Sequence, residues 1–303
     1  MKKLKFVLSL PGDNSYLREQ AAVAKTTAER LGLELQVLNA KSDPILQSQQ
    51  LLELVQSKSA PRPDGILVEP VSATGLPRVA EAAVAAGIAW VISNARVEYT
   101  GALRKASKVP VFTVSQDHQE IGRIQGRQIG AILRNGGSLL YLRGPATNFL
   151  ASERSDGMES AKPKNVQVKS LKIQWTGECA YNSVTAWLGL STVRAADTQM
   201  ISSQNTDFIV AAKRAFQLNT ADPERAKWLS LPCTGAGTLS QAKPLVDSGV
   251  LLAAVITSLT MDTALSMLER AIKSGAQPAE HTIVEASSYP TLEELAKKQS
   301  KQS

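Results

Sequence analysis

Residues 63–96 limit the possible fold more than any other part of the chain. Two short apolar runs, 66–68 and 88–92, lie on either side of a segment with a helical pattern that ends at Gly87. Continuous apolar strands joined by a helix predict a right-handed βαβ unit in a parallel sheet. Ligands bind beyond the carboxyl ends of the strands in such sheets. Asn94 and Arg96, which follow the second run, are therefore expected to meet a small molecule.

The same alternation of strands and helices continues through nearly all of the 303 residues. It predicts about eleven strands, more than one sheet comfortably holds, with helices on both faces. We therefore expect an α/β protein with two Rossmann-like lobes and parallel sheets. The pattern also predicts a strand at residues 228–231, a surface loop at 97–108 and a frayed tail at 292–303.

The chain is basic, with a formal net charge of +7 and an isoelectric point near 9.4. A basic protein can meet nucleic acid or an anionic surface. Here the charge is spread along the chain rather than clustered, which favours an ordinary solvated surface. We expect no nucleic-acid binding by this chain alone.

The common catalytic and cofactor motifs are missing. The sequence has no Walker phosphate loop, and its first predicted strand leads into residues 11–14 rather than a dinucleotide-binding glycine motif. Nucleophile-elbow and zinc-protease motifs are also absent, and only two histidines are present. We therefore expect no catalytic residues, no cofactor and no metal, although a carboxylate-based enzyme stays open. Cys179 and Cys233 lack metal spacing; reduced thiols are favoured, with a disulfide as the alternative.

Five segments with polar residues at strand ends resemble the type I periplasmic binding proteins, the ribose/galactose-binding and LacI-like group of sugar ABC transporters. Their order and spacing carry the resemblance, which covers nearly the whole chain. They are residues 14–16, 63–70, 115–123, 153–158 and 246–249.

The resemblance implies two lobes joined by a three-strand hinge, with the ligand held in a cleft between them by hinge closure. It places residues 1–115 and 258–284 in an N-terminal lobe. Residues 116–257 and 285–303 then form a C-terminal lobe.

By position, the resemblance implies seven ligand contacts. They are Asn14, Tyr16, Asn94, Arg96, Arg154, Trp175 and Asn205. Amides and guanidinium groups suit vicinal hydroxyls, and aromatic faces suit the apolar side of a sugar ring.

Structural roles compete with several of these contacts. Asn14 could simply cap a helix, and Tyr16 could lie at the surface or in a core. Arg154 could form an ion pair with Asp156 or Glu153, and core packing is an equal alternative for Trp175.

Two departures from the family pattern concern acids. Sugar-binding members usually place one acid after strand four, where Asn94 stands here. A second acid is usual in the loop assigned to residues 233–238, which holds no carboxylate. Since charged acceptors bind sugar hydroxyls strongly, their loss leaves Arg96 and Arg154 less neutralised. An anionic sugar derivative is therefore one hypothesis for the ligand.

The resemblance implies a monomeric solute-binding protein that delivers a sugar or sugar derivative to an ABC permease. It implies a periplasmic or cell-envelope location. The cytoplasm is the alternative, because the apolar stretch at residues 4–10 is too short for a signal peptide. A cytoplasmic ligand sensor, or a LacI-type regulator core without its DNA-binding domain, is the alternative function.

Overall fold

The computed structural model describes residues 3–57, 61–72 and 74–300. The first part of the chain forms β1 (Lys5–Leu10), α1 (Ser15–Leu31), β2 (Glu34–Asn39), α2 (Pro44–Gln56), β3 (Gly65–Val68), α3 (Pro77–Ala85), β4 (Ala89–Ser93), α4 (Thr100–Ala106) and β5 (Val111–Gln116). The middle forms α5 (His118–Ile132), β6 (Gly137–Arg143), α6 (Phe149–Ala161), β7 (Val166–Lys172), α7 (Gly177–Leu188), a 3-10 turn (Ala195–Asp197), β8 (Met200–Ser203) and α8 (Thr206–Asn219). The last part forms α9 (Glu224–Ser230), β9 (Cys233–Gly237), α10 (Leu239–Asp247), β10 (Ala253–Ile256), α11 (Met261–Ser274), β11 (His281–Val284), β12 (Ser287–Tyr289) and α12 (Leu292–Ser300).

The chain divides into two compact units, each with its own sheet. Of the described residues, the first unit contains those up to Gln116 together with Leu259–Val284. The second contains Asp117–Ser258 and the chain from Glu285 onward. The chain therefore passes from one unit to the other three times.

The first unit is built on a six-stranded parallel sheet with the order β11-β5-β4-β3-β1-β2. Every residue of β3, β4 and β5 is buried, as expected for central strands covered on both faces. Helices α1 and α11 pack on the core through Leu17, Leu265 and Leu268. Asn14 begins α1 by accepting a hydrogen bond from the Leu17 backbone N–H at 2.9 Å.

The second unit carries a six-stranded sheet with the order β12-β10-β9-β8-β6-β7. All its pairs are parallel except β10 with β12, which run antiparallel. Its largest core contains Phe216 stacked on Trp228, with ring centroids 4.9 Å apart, and Trp187 edge-on to Trp228 at 5.5 Å.

The predicted fold class is confirmed, but several local predictions are wrong. Residues 228–231 are not a strand: Trp228 lies in α9, and the strand follows at Cys233–Gly237. A short apolar run fits a buried helix as well as a strand. The predicted surface loop at 97–108 contains α4, and the short antiparallel β12 went unpredicted.

The predicted frayed tail is also wrong for the part that the structure describes. Residues 292–300 form α12, whose Leu295 is fully buried; residues 301–303 lie outside the described residues. None of the described helices is both long and apolar enough to cross a membrane.

Candidate functional site

Polar side chains gather at the carboxyl edge of the first sheet. Glu69 directly follows β3, Asn94 follows β4, and Gln116 is the last residue of β5. Tyr16 lies in the first turn of α1, which follows β1. These four strands are neighbours in the sheet, so parallel order brings their carboxyl ends together.

Three side-chain amides meet the Tyr16 hydroxyl. Its oxygen lies 2.7 Å from Gln20 Nε2, 2.8 Å from Asn94 Nδ2 and 2.8 Å from Gln116 Nε2. Asn94 Nδ2 also donates to Glu69 Oε2 at 3.1 Å. We call Tyr16, Gln20, Glu69, Asn94 and Gln116 the Tyr16 network.

The Tyr16 network is tied to α11 at the start of the late segment of the first unit. Gln20 Oε1 accepts hydrogen bonds from the backbone N–H groups of Thr260 and Met261, both at 3.2 Å. Gln20 Nε2 also donates to the Thr260 hydroxyl at 2.8 Å, and that hydroxyl lies 2.7 Å from Ser93 Oγ. One side chain thus fastens the helix end to the carboxyl edge of the sheet.

Asn94 combines burial with an unusual backbone. Its side chain is only 2% exposed, and its φ of 52° lies in the left-handed region. Asparagine tolerates this region better than most residues, and such backbones often occur at functional sites. Among the described residues, Asn94 Oδ1 is a buried acceptor without a hydrogen-bond partner.

The structure places the four predicted residues of the first unit differently. Tyr16 and Asn94 touch each other within the network. Asn14 caps α1, the structural alternative for this residue, and is half-buried. Arg96 is exposed. A role in binding the ligand stays a prediction for all four.

A second polar group lies at the carboxyl edge of the second sheet, around Arg154 of α6. Its Nη1 donates to the backbone carbonyl of Gln204 at 3.0 Å, and its Nε makes a longer contact of 3.4 Å with His118 Nδ1. His118 begins α5 and is 3% exposed. The guanidinium is thus held at the point where β8 ends and α5 begins.

Gln204 is the buried hub of this second group. Its Oε1 accepts from the Gly144 backbone N–H at 2.9 Å, and its Nε2 donates to the hydroxyls of Tyr141 at 3.0 Å and Ser155 at 3.1 Å. Burial raises the pKa of Tyr141, so this hydroxyl stays protonated. We call Arg154, His118, Gln204 and Tyr141 the Arg154 network.

Glycines set the distance between the helices that carry His118 and Arg154. A Cβ on Gly122 would lie 2.1 Å from the Arg154 carbonyl oxygen, and one on Gly157 would lie 2.1 Å from the Gln119 carbonyl oxygen. Only glycine permits backbones to approach so closely. The contact between α5 and α6 therefore fixes where Arg154 sits.

The other two predicted residues lie at the same edge of the second sheet. Trp175 is half-buried and stacks on Phe208, with centroids 5.8 Å apart and an interplanar angle of 22°. A Cβ on Gly144 would lie 2.3 Å from its ring. Asn205 caps α8 by accepting from the Asp207 backbone N–H at 2.8 Å. Packing and capping thus account for both side chains, and ligand contact stays a prediction.

Sequence reasoning missed Glu69, Gln116, His118 and Gln204. Glu69 and Gln116 stand at strand ends, the signal that selected Asn94, and lie in segments that carried the family resemblance. His118 is buried, with its Nδ1 facing Arg154 Nε. Glu69 also changes the argument about missing acids, because the neighbouring strand end brings a carboxylate to Asn94.

No metal site is evident in the described part of the chain, where no three His, Cys, Asp or Glu side chains are grouped to hold an ion. Cys179 is half-buried and Cys233 buried, both as free thiols.

Two α/β units, linked by three chain crossings and each with a polar network at its carboxyl edge, are typical of two-lobe binding proteins. Residues 5–275 match the model of the periplasmic binding protein domain family, and the chain belongs to that family. The resemblance found in the five sequence segments is confirmed. No curated protein matches the sequence.

Solved structures of sugar-binding proteins share the fold. A galactofuranose binding protein is 19% identical with a TM-score of 0.81, covering 98% of this chain and 99% of its own. The Caulobacter myo-inositol binding protein is 19% identical with a TM-score of 0.79, covering 97% and 95%. An Actinobacillus succinogenes 130z solute binding protein with bound D-allose is 17% identical with a TM-score of 0.80, covering 98% and 100%. At these identities the likeness establishes the fold.

Proposed function

We propose that this chain is a solute-binding protein that captures a sugar or sugar derivative by closure of its two units and delivers it to an ABC transporter. The observation that carries the proposal is the hydrogen-bonding network at the carboxyl edge of each sheet. Amides, a carboxylate and a guanidinium are the groups that bind polyol hydroxyls. The sugars bound by proteins of the same fold support this choice of ligand.

The proposed role involves capture and release without a chemical step. The Tyr16 and Arg154 networks are built from amides, hydroxyls, one carboxylate, one imidazole and one guanidinium, groups that can hold a solute in place. We therefore propose that the chain is not an enzyme and works without a cofactor. We also propose that the chain acts as a monomer in the periplasm together with an ABC permease, as the family resemblance implies.

The charge of the solute is a finer part of the proposal. The hypothesis of an anionic ligand rests on the missing acid after β4. However, Glu69 supplies a carboxylate there, with its Oε2 3.1 Å from Asn94 Nδ2. A carboxylate beside the bound solute repels an anion and accepts hydrogen bonds from hydroxyls. We therefore favour a neutral sugar as the ligand. Sugar acids and sugar phosphates are included in the binding screen as the alternative.

A thermal-shift screen of purified protein tests this function. The panel contains neutral sugars, cyclitols, sugar acids and sugar phosphates. A ligand at a hundredfold excess over its Kd stabilises the folded state by about 2.7 kcal/mol. Unchanged melting with every compound, or conversion of a bound sugar to product, would overturn the proposal.

Two further measurements assign the site and the motion. Arg154→Ala should abolish the shift, whereas Arg194→Ala, at an exposed arginine of the same unit, should preserve it. Small-angle scattering should show a smaller radius of gyration with ligand, and an unchanged radius argues against closure. Loss of binding in both arginine variants would mean that Arg154 has no special role.

A further inference from the structure

The Gln20 amide has only one possible orientation. Its oxygen faces the two backbone N–H groups of Thr260 and Met261 at 3.2 Å, and backbone N–H groups can only donate. Its nitrogen must therefore face Tyr16 Oη at 2.7 Å. Gln20 donates one hydrogen bond to the Tyr16 hydroxyl.

The Asn94 amide is oriented by a different partner. Its Nδ2 donates to Glu69 Oε2 at 3.1 Å, and a carboxylate oxygen is an acceptor. Reversing the amide would bring two oxygens together. The second hydrogen of Nδ2 points to Tyr16 Oη at 2.8 Å, so Asn94 also donates to this hydroxyl.

The Tyr16 hydroxyl oxygen also accepts from a third amide, that of Gln116, whose Nε2 lies 2.8 Å away. Amides from α1, from the end of β4 and from β5 thus hold this oxygen beside Asn94 Nδ2.

We propose that Tyr16 and Glu69 are positioning residues that hold the Asn94 amide with Oδ1 as a fixed acceptor. This inference rests on the proposed function and refines the specificity of the same site. Asn94 is 2% exposed, and within the described part of the chain its Oδ1 has no hydrogen-bond partner. A buried acceptor left without a donor is costly, so a bound solute that supplies one is favoured.

The fixed orientation of the Asn94 amide makes the site selective for a hydroxyl group. The solute must donate a hydroxyl proton to Asn94 Oδ1. An ether, keto or carboxylate oxygen, or a fluorine atom, at that position cannot do so. Sites built to pair with a substrate hydroxyl reject analogues that lack it far more strongly than apolar pockets reject a missing methylene. Tyr16 and Glu69 impose this selectivity by holding Asn94, whether or not they touch the solute.

The binding test uses calorimetry with L-arabinose, D-allose, D-galactose and myo-inositol, and then monofluoro analogues of the tightest binder. In the wild type, fluorine at one position should weaken binding about tenfold or more, the cost of one unpaired buried acceptor. Tyr16→Phe and Glu69→Gln release the amide, so this ratio should fall to about threefold or less. Tyr99→Phe and Glu81→Gln, matched changes in the same unit, should keep it.

A second readout examines the amide without any ligand. Nuclear magnetic resonance of side-chain amides, assigned through Asn94→Asp, should show the Asn94 NH₂ pair protected from solvent exchange. Protection should fall in Tyr16→Phe and Glu69→Gln and persist in both controls. Equal protection in all variants or an unchanged fluorine ratio would overturn the inference. If the wild type binds none of the four sugars and cyclitols, the proposed function fails. The resonance experiment needs no ligand, so it still decides whether Tyr16 and Glu69 hold the Asn94 amide in one orientation.

Discussion

Replacing Gly157 by alanine tests whether the contact between α5 and α6 fixes the second unit. The new Cβ would lie 2.1 Å from the Gln119 carbonyl oxygen, whereas ordinary contacts begin at about 3.4 Å. The helices would therefore have to separate by about 1.3 Å, the difference between these distances. Because the obstacle is backbone, no side-chain rotation can relieve it.

The expected net loss follows from two opposing effects. Overpacking costs about 1–3 kcal/mol, and the backbone contact places Gly157→Ala at or above the upper end. Alanine recovers about 1 kcal/mol through its higher helix propensity. We expect a net loss of about 2 kcal/mol or more, which lowers the melting temperature of a unit of this size by roughly 4–8 °C or more.

Urea unfolding and calorimetry would measure the change. Gly177→Ala is the matched control, because a Cβ there meets nothing within 4 Å; it should leave stability unchanged or slightly raised. Ligand affinity should fall in Gly157→Ala, since α6 carries Arg154. A Gly157→Ala protein that unfolds at or above the wild-type midpoint would refute the reasoning about the helix contact.

Three further changes probe the first network and the thiols. Asn94→Asp places a second carboxyl beside Glu69, so one of the two keeps a proton and its folded-state pKa rises. The variant should therefore lose stability relative to wild type as pH rises from about 4 to 8, by about 1.4 kcal/mol per unit of pKa shift. A stability difference from wild type that stays constant with pH in urea unfolding would contradict this. Gln20→Leu leaves the first N–H groups of α11 unpaired and should lower the free energy of unfolding by about 2–4 kcal/mol; a urea midpoint equal to wild type would refute the anchoring role. Burial raises the pKa of the Cys233 thiol to about 11, so about one part in a thousand is thiolate at pH 8. A thiol reagent should therefore label Cys179 first in the native protein and label both cysteines in denaturant. Equal labelling rates of the two cysteines in the native protein would argue against burial of Cys233.

The sequence predicted the fold well because strand and helix periods are local properties. The βαβ unit at residues 63–96 and the two-lobe α/β class follow from apolar runs and glycine stops. Residues 228–231 were misassigned because a short apolar run has too few residues to show a period. Its true state depends on Trp228 packing against Phe216.

The candidate site was only partly visible in the sequence, since strand ends show which residues are near an edge and not which side chains meet. Glu69 could have been found by applying the strand-end rule to β3 as well as β4. His118 could not, because its contact with Arg154 comes from the packing of α5 against α6, where Gly122 and Gly157 each closely approach the backbone of the other helix. The Gln20 anchor joins residues 240 positions apart, a pairing that no local pattern reports.

Each sheet needs strands from distant parts of the chain, and this affects the order of events during synthesis. The open side of β5 is covered by β11, which pairs with it from His281 to Val284. Leu265 and Leu268, which fill the first core, also come from this late segment. A nascent chain released before Val284 would expose an unpaired strand edge and apolar surface, both of which promote aggregation. Most of the first unit is thus translated early, but its sheet and core are completed only when residues 259–284 have been made. Chaperone binding to the nascent chain should be greatest between these two points.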